Sequence, residues 1–416
     1  MGPQDQWRSF WERARAANIL EVARFACKAS LKKQGTYEWA GPCPACGGDD
    51  RFAINTSKRV FNCRGSEDGG DVISMVKHVL GCSLVEAAER ITGETRPDRS
   101  RDESDEERAE RLKEVERRSY ELRKLREEEQ REAALRARRT EESVQRILSR
   151  AVPIKGTHAE AYMWERGLRN VPPRLTSDLR FVADLDYWGF GETGAGDVVH
   201  LDTTPALIAI IRDFSGAIIG ISQTYLHATE PKKWTPVGSF RNSAKKVRGE
   251  KKNGMIRLGI TGEHLALSEG WENALAWWLL GRGAEGITLG AAVDLQNMAG
   301  GAMGTAAHKI RRNADGQPWR IQNGVPNMAE PGVILPEGVR YITLVCDGDS
   351  DYCRTVAMMR TAGLRYRAQG LEVTVDFSPV GRDWNQVLLG ELAMPAPTAP
   401  PPEIMEAGNA GRAYAS

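Results

Sequence analysis

Apolar positions along this chain of 416 residues change their rhythm in ways that separate its parts. Near the amino terminus Trp7, Phe10, Trp11 and Ala14 recur every three or four residues, the stripe of an amphipathic helix. A Cys-rich loop follows, then a second helical stretch from Asp71 through Gly93, with a break at Arg96-Pro97. From Arg99 to Arg150 there is no Gly or Pro, and Glu, Arg and Lys alternate in mixed order. That composition favours one long helix laced by i to i+4 ion pairs, about 78 Å if fully formed at ~1.5 Å per residue. Leu112, Val115, Leu122, Leu125 and Leu135 hold no sustained heptad, so this helix reads as a solvated spacer rather than a coiled coil.

Beyond residue 151 the rhythm becomes that of an α/β fold. Strands are expected at Leu207 to Ile211, Ala217 to Ser222, Met255 to Leu258, Leu265 to Ser268, Gly286 to Leu289, Tyr341 to Cys346 and Leu371 to Phe377. Helices at Asn273 to Leu280 and Cys353 to Gln369 fall between the later strands, which points to a largely parallel sheet. Residues 297–338, rich in Gly, Pro and Asn, read as a long insertion between strands, with no role of its own to derive. The organisation expected is a Cys-rich domain at 1–95, a charged helical linker at 96–150, a basic subdomain at 151–260, a parallel-sheet domain at 261–392 and a disordered Pro/Ala-rich tail at 393–416.

Two of the expected strands end in acid. Tyr341-Ile-Thr-Leu-Val-Cys346 leads into Asp347-Gly348-Asp349, and Leu265-Ala-Leu-Ser268 leads into Glu269. Parallel α/β sheets place their sites outside the carboxyl ends of their strands, so Glu269, Asp347 and Asp349 are expected at one rim. Crowded carboxylates repel one another, and a hard divalent cation such as Mg²⁺ or Mn²⁺ relieves that repulsion. An ordinary Asp/Gly/Ser turn at a strand end accounts for the acidic triplet alone, but not for its pairing with Glu269.

Cys43-Pro-Ala-Cys46 is followed after sixteen residues by Cys63, and Arg64-Gly65-Ser66 stands where a second Cys-x-x-Cys would close a four-ligand ribbon. Cys43, Cys46 and Cys63 are expected to hold a structural Zn²⁺, with Glu67, Asp68, His78 or water in the fourth position. Cys27, Cys82, Cys346 and Cys353 read as structural thiols. Between Lys232 and Lys252 there are eight bases and one acid. Lys232, Lys233, Arg241, Lys245, Lys246 and Arg248, interleaved with Tyr225, Trp234 and Phe240, combine phosphate contacts with stacking surfaces, as single-stranded nucleic acid or nucleotides require.

Composition adds limits. The chain is 41% hydrophobic and 27% charged, ordinary for a soluble protein, and no run approaches a membrane span. Met1-Gly-Pro-Gln-Asp-Gln lacks the basic and apolar segments of a secretory signal, so a cytoplasmic protein with reduced cysteines is expected. A net charge of +1 confines any nucleic-acid binding to local patches.

Several of these segments resemble one family. Gly41-Pro-Cys43-Pro-Ala-Cys46-Gly-Gly-Asp-Asp-Arg51-Phe, Val60-Phe-Asn-Cys63-Arg and Gly69-Gly70-Asp71-Val72-Ile73 resemble the zinc-binding domain of bacterial DnaG-type primases. Leu267-Ser268-Glu269-Gly270-Trp-Glu-Asn-Ala-Leu-Ala276, with Asp347-Gly-Asp349 and Gly381-Arg382-Asp383-Trp384-Asn385, resembles their Toprim domain, especially in phage- and plasmid-type variants. The resemblance covers roughly 35–95 and 200–390, and its motifs stand in family order. It implies a Rossmann-like Toprim sheet and Mg²⁺ at Glu269, Asp347 and Asp349, with Asp383 completing the rim and Glu272 competing for the place of Glu269. Ser215-Gly-Ala-Ile-Ile-Gly-Ile-Ser222 with Pro231-Lys-Lys233 resembles the family's polymerase subdomain, where basic residues guide template or triphosphate.

The implied activity is synthesis of short RNA primers from nucleoside triphosphates on single-stranded DNA. No Gly-x-x-x-x-Gly-Lys-[Ser/Thr] motif is present, so a helicase partner is expected in trans, if at all. The same carboxylates suit a Toprim nuclease, and the same architecture suits a catalytically idle DNA-binding protein.

Overall fold

The computed structural model of the protein describes residues 2–34, 37–97, 105–191, 198–240, 242–259, 262–283, 286–313 and 316–393. Among the described residues no helix is long and apolar enough to cross a membrane. The expected tail lies outside the described residues. The chain divides into two compact units, Met1–Glu132 and Ala133–Ser416.

The first unit opens with helices α1, Pro3–Ala16, and α2, Ile19–Phe25. Strands β1, Lys32–Lys33, β2, Glu38–Cys43, β3, Gly47–Asn55, β4, Val60–Cys63, and β5, Asp68–Gly70, then form an antiparallel sheet in sequential order. Two helices follow, α3, Val72–Leu80, and α4, Leu84–Thr92. The sequence pattern runs through both, but the backbone breaks between them because Gly81 takes a left-handed φ of 60° and Ser83 starts a new helix in a reciprocal cap with Glu86. Phe10, Phe52, Ile54, Phe61, Met75 and Val76 form the core, packed with Cys43 and Cys63.

Helix α5, Asp105–Arg150, has 46 residues, about 69 Å at ~1.5 Å per residue. Its last turns pack in the second unit: Val144 and Ile147 are buried there, and Arg150 pairs with Asp184 at 2.5 Å.

The second unit continues with β6, Val152–Pro153, α6, His158–Glu165, β7, Leu179–Phe190, β8, Val198–Arg212, β9, Ile218–Tyr225, β10, Lys245–Gly249, β11, Met255–Leu258, β12, His264–Ser268, α7, Trp271–Leu279, β13, Thr288–Ala291, and α8, Leu295–Ala299. It ends with β14, Thr305–Arg312, β15, Pro318–Gln322, β16, Tyr341–Cys346, α9, Tyr352–Ala368, β17, Glu372–Phe377, and α10, Trp384–Ala393. One mixed sheet runs β10-β9-β8-β11-β13-β12-β16-β17, with β7 and β6 branching from β8. Parallel pairing is confined to β13-β12-β16-β17, the Toprim-like part; from β6 to β11 the sheet is antiparallel. The reason is local: β8 and β9 are joined by a tight turn in which the Asp213 carboxylate accepts from the N–H of Ser215 and Ala217, and such a hairpin allows only antiparallel neighbours.

The insertion is ordered by two devices. Strands β14 and β15 pair as an antiparallel hairpin outside the main sheet. Arg365 of α9, 1% exposed, donates to the carbonyls of Ala299 (3.2 Å), Gly301 (2.6 Å) and Asn327 (2.9 Å), tying both ends of the insertion to the parallel domain. Arg365→Ala removes all three bonds, with the Gly301 and Asn327 carbonyls keeping one other donor each, the Asn327 and Glu330 N–H, and is expected to cost about 3 kcal/mol. Hydrogen exchange should then accelerate across 299–327 before it does in β12 or β16; unchanged exchange in the insertion would show that Arg365 does not hold it.

Candidate active site and zinc centre

β12 and β16 are parallel neighbours in register, Ser268 opposite Val345, so the residues that follow them emerge side by side. Glu269 and Asp347 therefore share one rim, and neither is well solvated. Burial pushes the Asp347 carboxyl up to about 7, with further upward pressure from Glu269, Asp383 and Asp349 and a partial offset from the Asn273 hydrogen bond. Burial also raises Glu269, reinforced by Asp294 and Asp349 and opposed by Arg354 and Lys245. Mutual repulsion among these acids is thus a property of the fold.

The acidic turn is fixed from several sides. Asn273 of α7 donates to Asp347 Oδ2 at 2.6 Å and is itself held by the Asn385 N–H. Gly348 packs so closely on the 378–382 loop that a Cβ would lie 2.4 Å from the Pro379 carbonyl oxygen and 2.6 Å from that of Ser378. Its N–H donates to Ser378 Oγ at 2.7 Å. Glycine is needed here for close approach of two backbones rather than for a left-handed turn. Within the acidic run the residues divide their work: Asp351 caps α9 through the Arg354 N–H, while Asp347 and Asp349 contribute charge to the rim. Asp383 also serves as a cap, accepting from the Gln386 N–H at 2.6 Å, and its charge still reaches Asp347.

Asp294, absent from the sequence-based set, stands just after β13, the strand on the other side of β12. Three adjacent parallel strands, β13, β12 and β16, thus each precede an acid of the rim. Asp294 caps α8 and pairs with Lys251. Val293, immediately before it, has φ 74°, a strained conformation for a β-branched residue, of the kind that collects at functional sites. The signal was readable in the apolar run Ile287 to Val293 ending in Asp294; placing the strand at 286–289 instead of Thr288–Ala291 hid it.

Among the described residues, the donor atoms of two metal-capable sets lie within 4.8 Å of one another, and the rim acids are not one of these sets. The rim still fits a divalent cation by its chemistry: hard oxygen donors, partly buried, carrying unneutralised charge. An open arrangement suits Mg²⁺, which keeps waters and takes substrate phosphates as ligands.

Glu272 occupies a different place from Glu269. It is fully buried, accepts from Tyr162 Oη, and pairs with Lys245 at 3.1 Å and Lys233 at 3.2 Å. Burial works to raise its carboxyl, but Lys245 and Lys233, the Tyr162 hydrogen bond and Arg166 outweigh it and hold the group at about 2, below its ordinary 4.5. A lowered carboxylate contributes stability above its unfolded value and loses it as pH falls through the folded one. Glu272→Gln is expected to cost about 3 kcal/mol at pH 7 by denaturant unfolding, with the gap closing between about pH 4.5 and 2. A pH-independent gap would contradict this account.

The basic segment is more committed than its composition suggests. Besides the two lysines on Glu272, Lys232 pairs with Glu230 at 3.0 Å, Lys246 lies over the Tyr187 ring and donates to the Trp188 carbonyl, and Arg248 donates to Ser143 Oγ. Arg241 lies outside the described residues. Two of the three aromatic residues expected as stacking surfaces are core residues: Tyr225 is 1% and Trp234 7% exposed, and both pack on Tyr187. Tyr225 ends β9 and Trp234 lies in the connection from β9 to β10, and both rings face the core rather than a binding groove. Phe240, 94% exposed, does offer a free ring.

In the first unit Cys43, Cys46, Cys63 and His78 bring their donor atoms within 4.8 Å of one another. The β2–β3 turn presents the first two thiols, β4 the third, and α3 the imidazole, which stacks on Phe61. His78 Nε2 is 3.4 Å from Cys43 Sγ, while its Nδ1 lies 3.1 Å from Asp68 Oδ2. A carboxylate behind the imidazole turns the other nitrogen toward the thiols, as in carboxylate–histidine–zinc arrangements. Ser66 bonds to the Cys63 sulfur instead of acting as a ligand. Three thiols and an imidazole are a tetrahedral zinc donor set, so the position left open by sequence goes to His78, with Asp68 behind it.

Residues 12–107 match the CHC2 zinc finger family, the zinc ribbon of DnaG. The amino-terminal unit carries a CHC2 zinc finger. Residues 138–258 match a domain of unknown function, DUF7146. Among solved structures the chain is similar to the zinc-binding and RNA polymerase domains of the Aquifex aeolicus primase, at 15% identity over 92% of this chain and 82% of that one, TM-score 0.31. It is also similar to the primase fragment of the bacteriophage T7 primase-helicase protein, at 14% over 54% and 69%, TM-score 0.29. A third is the E. coli primase catalytic core, at 15% over 57% and 72%, TM-score 0.31. At these TM-scores the likenesses bear no weight for function, and no curated protein matches the chain.

Proposed function

We propose that this protein is a primase, a DNA-templated RNA polymerase that joins nucleoside triphosphates into short primers on single-stranded DNA. One observation carries the reading: a CHC2 zinc finger and a rim of carboxylates at adjacent parallel strand ends occur in the same chain. In the reaction a 3′-oxygen bonds to the α-phosphorus of a triphosphate, pyrophosphate leaves, and the hydroxyl proton is released. Glu269, Asp347 and Asp349 would hold a divalent cation, which would supply neutralisation of the phosphoryl charge and a lower pKa for the attacking hydroxyl. Asn273 and Gly348 keep Asp347 and Asp349 in place, and Glu269 ligates the cation or accepts the proton. Lys245, anchored on Glu272, presents positive charge to Glu269, while the zinc finger engages template. A helicase acting in trans belongs to the same reading.

Incubation of the full chain with single-stranded DNA, labelled nucleoside triphosphates and Mg²⁺ or Mn²⁺ tests it. Short RNA products that depend on template are expected. Shortened DNA would instead indicate a nuclease, and retained DNA with neither product an idle binding protein.

A further inference from the structure

The insertion brings one arginine, Arg311, to the side of the rim next to Glu269. A cavity of about 470 Å³ opens beside Glu269, bordered by Asp294 and Asp351, by Arg311 of β14 and by Arg354 in the first turn of α9. Its size is in the range of small-ligand sites.

In the first turn of α9, whose N-cap Asp351 accepts from the Arg354 N–H, the side chain of Arg354 is exposed. Its charge acts on Glu269. Arg311 is set by the hairpin: its guanidinium lies 5.2 Å from the Trp319 ring centroid and 3.4 Å from Asp351 Oδ2, yet the side chain is 62% exposed. One carboxylate contact leaves most of the five guanidinium N–H donors free for another acceptor.

The hairpin is itself keyed to the acidic turn. His308, 3% exposed, has its Nε2 at 2.8 Å from Asp351 Oδ1, and its Nδ1 accepts from the N–H of Ile310 and Arg311. Both ring nitrogens are thereby engaged, so this cluster with Cys353 acts as a latch and not as a second metal centre, despite the proximity of its donor atoms. The latch joins β14 to the residue four places after Asp347, so the position of Arg311 is fixed relative to the rim.

We propose that the insertion and the start of α9 form a phosphate-binding wall of the active site, in which Arg311 of the insertion and Arg354 of α9 receive the phosphate tail of the nucleoside triphosphate. This rests on the primase reading and names residues outside the acidic set and the basic segment. Carboxylates that take a cation on one side and guanidinium groups on the other suit a ligand with several adjacent anionic groups, which Arg recognises by paired N–H···O bonds. A phosphate of a polynucleotide backbone shares that chemistry, so both ligands enter the test.

The experiment is titration calorimetry of the full chain with ATP, GTP and AMP in Mg²⁺, with a single-stranded oligonucleotide as a separate ligand. Arg311→Ala and Arg354→Ala are each expected to weaken triphosphate binding by about tenfold or more, to weaken AMP binding less, and to leave oligonucleotide affinity unchanged. Arg311→Lys should recover only part of the loss, because a point charge does not reproduce the fork. His308→Ala should shift triphosphate binding the same way, through release of the latch. Both arginines are exposed, so each variant is expected to fold, and a thermal melt of each checks it. Triphosphate binding equal to wild type in both arginine variants overturns the proposal, as does a loss confined to the oligonucleotide. A wild-type chain that binds neither triphosphate overturns the primase reading as well, a failure separable from one seen only in the variants.

Discussion

Asp347→Asn is expected to reduce primer synthesis by about 10²- to 10³-fold, the effect of several kcal/mol of lost charge stabilisation at a metal-assisted phosphoryl transfer. The substitution is conservative in shape, because the new side-chain oxygen can still accept from Asn273. The same variant should be more thermally stable than wild type without added divalent cation. Burial together with Glu269, Asp383 and Asp349 opposes the charge on Asp347 and raises its carboxyl to about 7, so above that pH the folded protein carries an unfavourable charge that asparagine removes. Added Mg²⁺ should raise the melting temperature of wild type more than that of the variant. Lost synthesis combined with gained stability is the signature of a residue kept for chemistry. Synthesis at the wild-type rate would exclude Asp347 from the active site, and a lower melting temperature would make it a structural residue instead.

The parallel half of the fold was legible in the sequence for a physical reason. Strands buried on both faces need unbroken apolar runs: Tyr341–Cys346 coincides with its sequence reading, and His264–Ser268 begins one residue before its own. From these runs the expectation that Glu269 and Asp347 emerge at one sheet rim follows, and β12 and β16 are indeed adjacent and parallel. Half-buried strands were harder. β7 was not recognised, and β10 lay concealed in the basic segment, where Lys245-Lys246-Val247-Arg248 shows no apolar alternation and composition drew attention to charge. The partner of that charge, Glu272, lies 27 residues from Lys245 and 39 from Lys233, and Tyr162, which donates to Glu272, lies 110 residues before it, separations no local pattern records. The insertion was located at 297–338, but its order was not legible for a related reason: it depends on Arg365 and His308, single buried polar side chains whose acceptors lie in other segments. At the zinc centre spacing located three ligands, because they lie on a turn and its paired strand. The fourth is on a helix, fifteen residues after Cys63, where only folding makes it a neighbour.

That fourth ligand gives the second large effect. His78→Ala is expected to leave the purified full chain with much less than one bound zinc and to accelerate hydrogen exchange throughout β2 to β5 and α3. Structural zinc contributes about 10–16 kcal/mol in small domains, more than the apolar core of a unit this size leaves as net stability. Asp68→Asn keeps the packing of His78 and removes only the carboxylate that orients it, so zinc affinity should fall by about 10- to 100-fold while the fold survives at saturating metal. Ser66→Cys provides the converse experiment. Ser66 already bonds to the Cys63 sulfur, so a thiol at that position can join the cluster, and in the His78→Ala background it should restore zinc binding and protection. If His78→Ala alone retains stoichiometric zinc at wild-type affinity, the imidazole is not a ligand, and its contact with Cys43 serves only to pack α3 against the sheet.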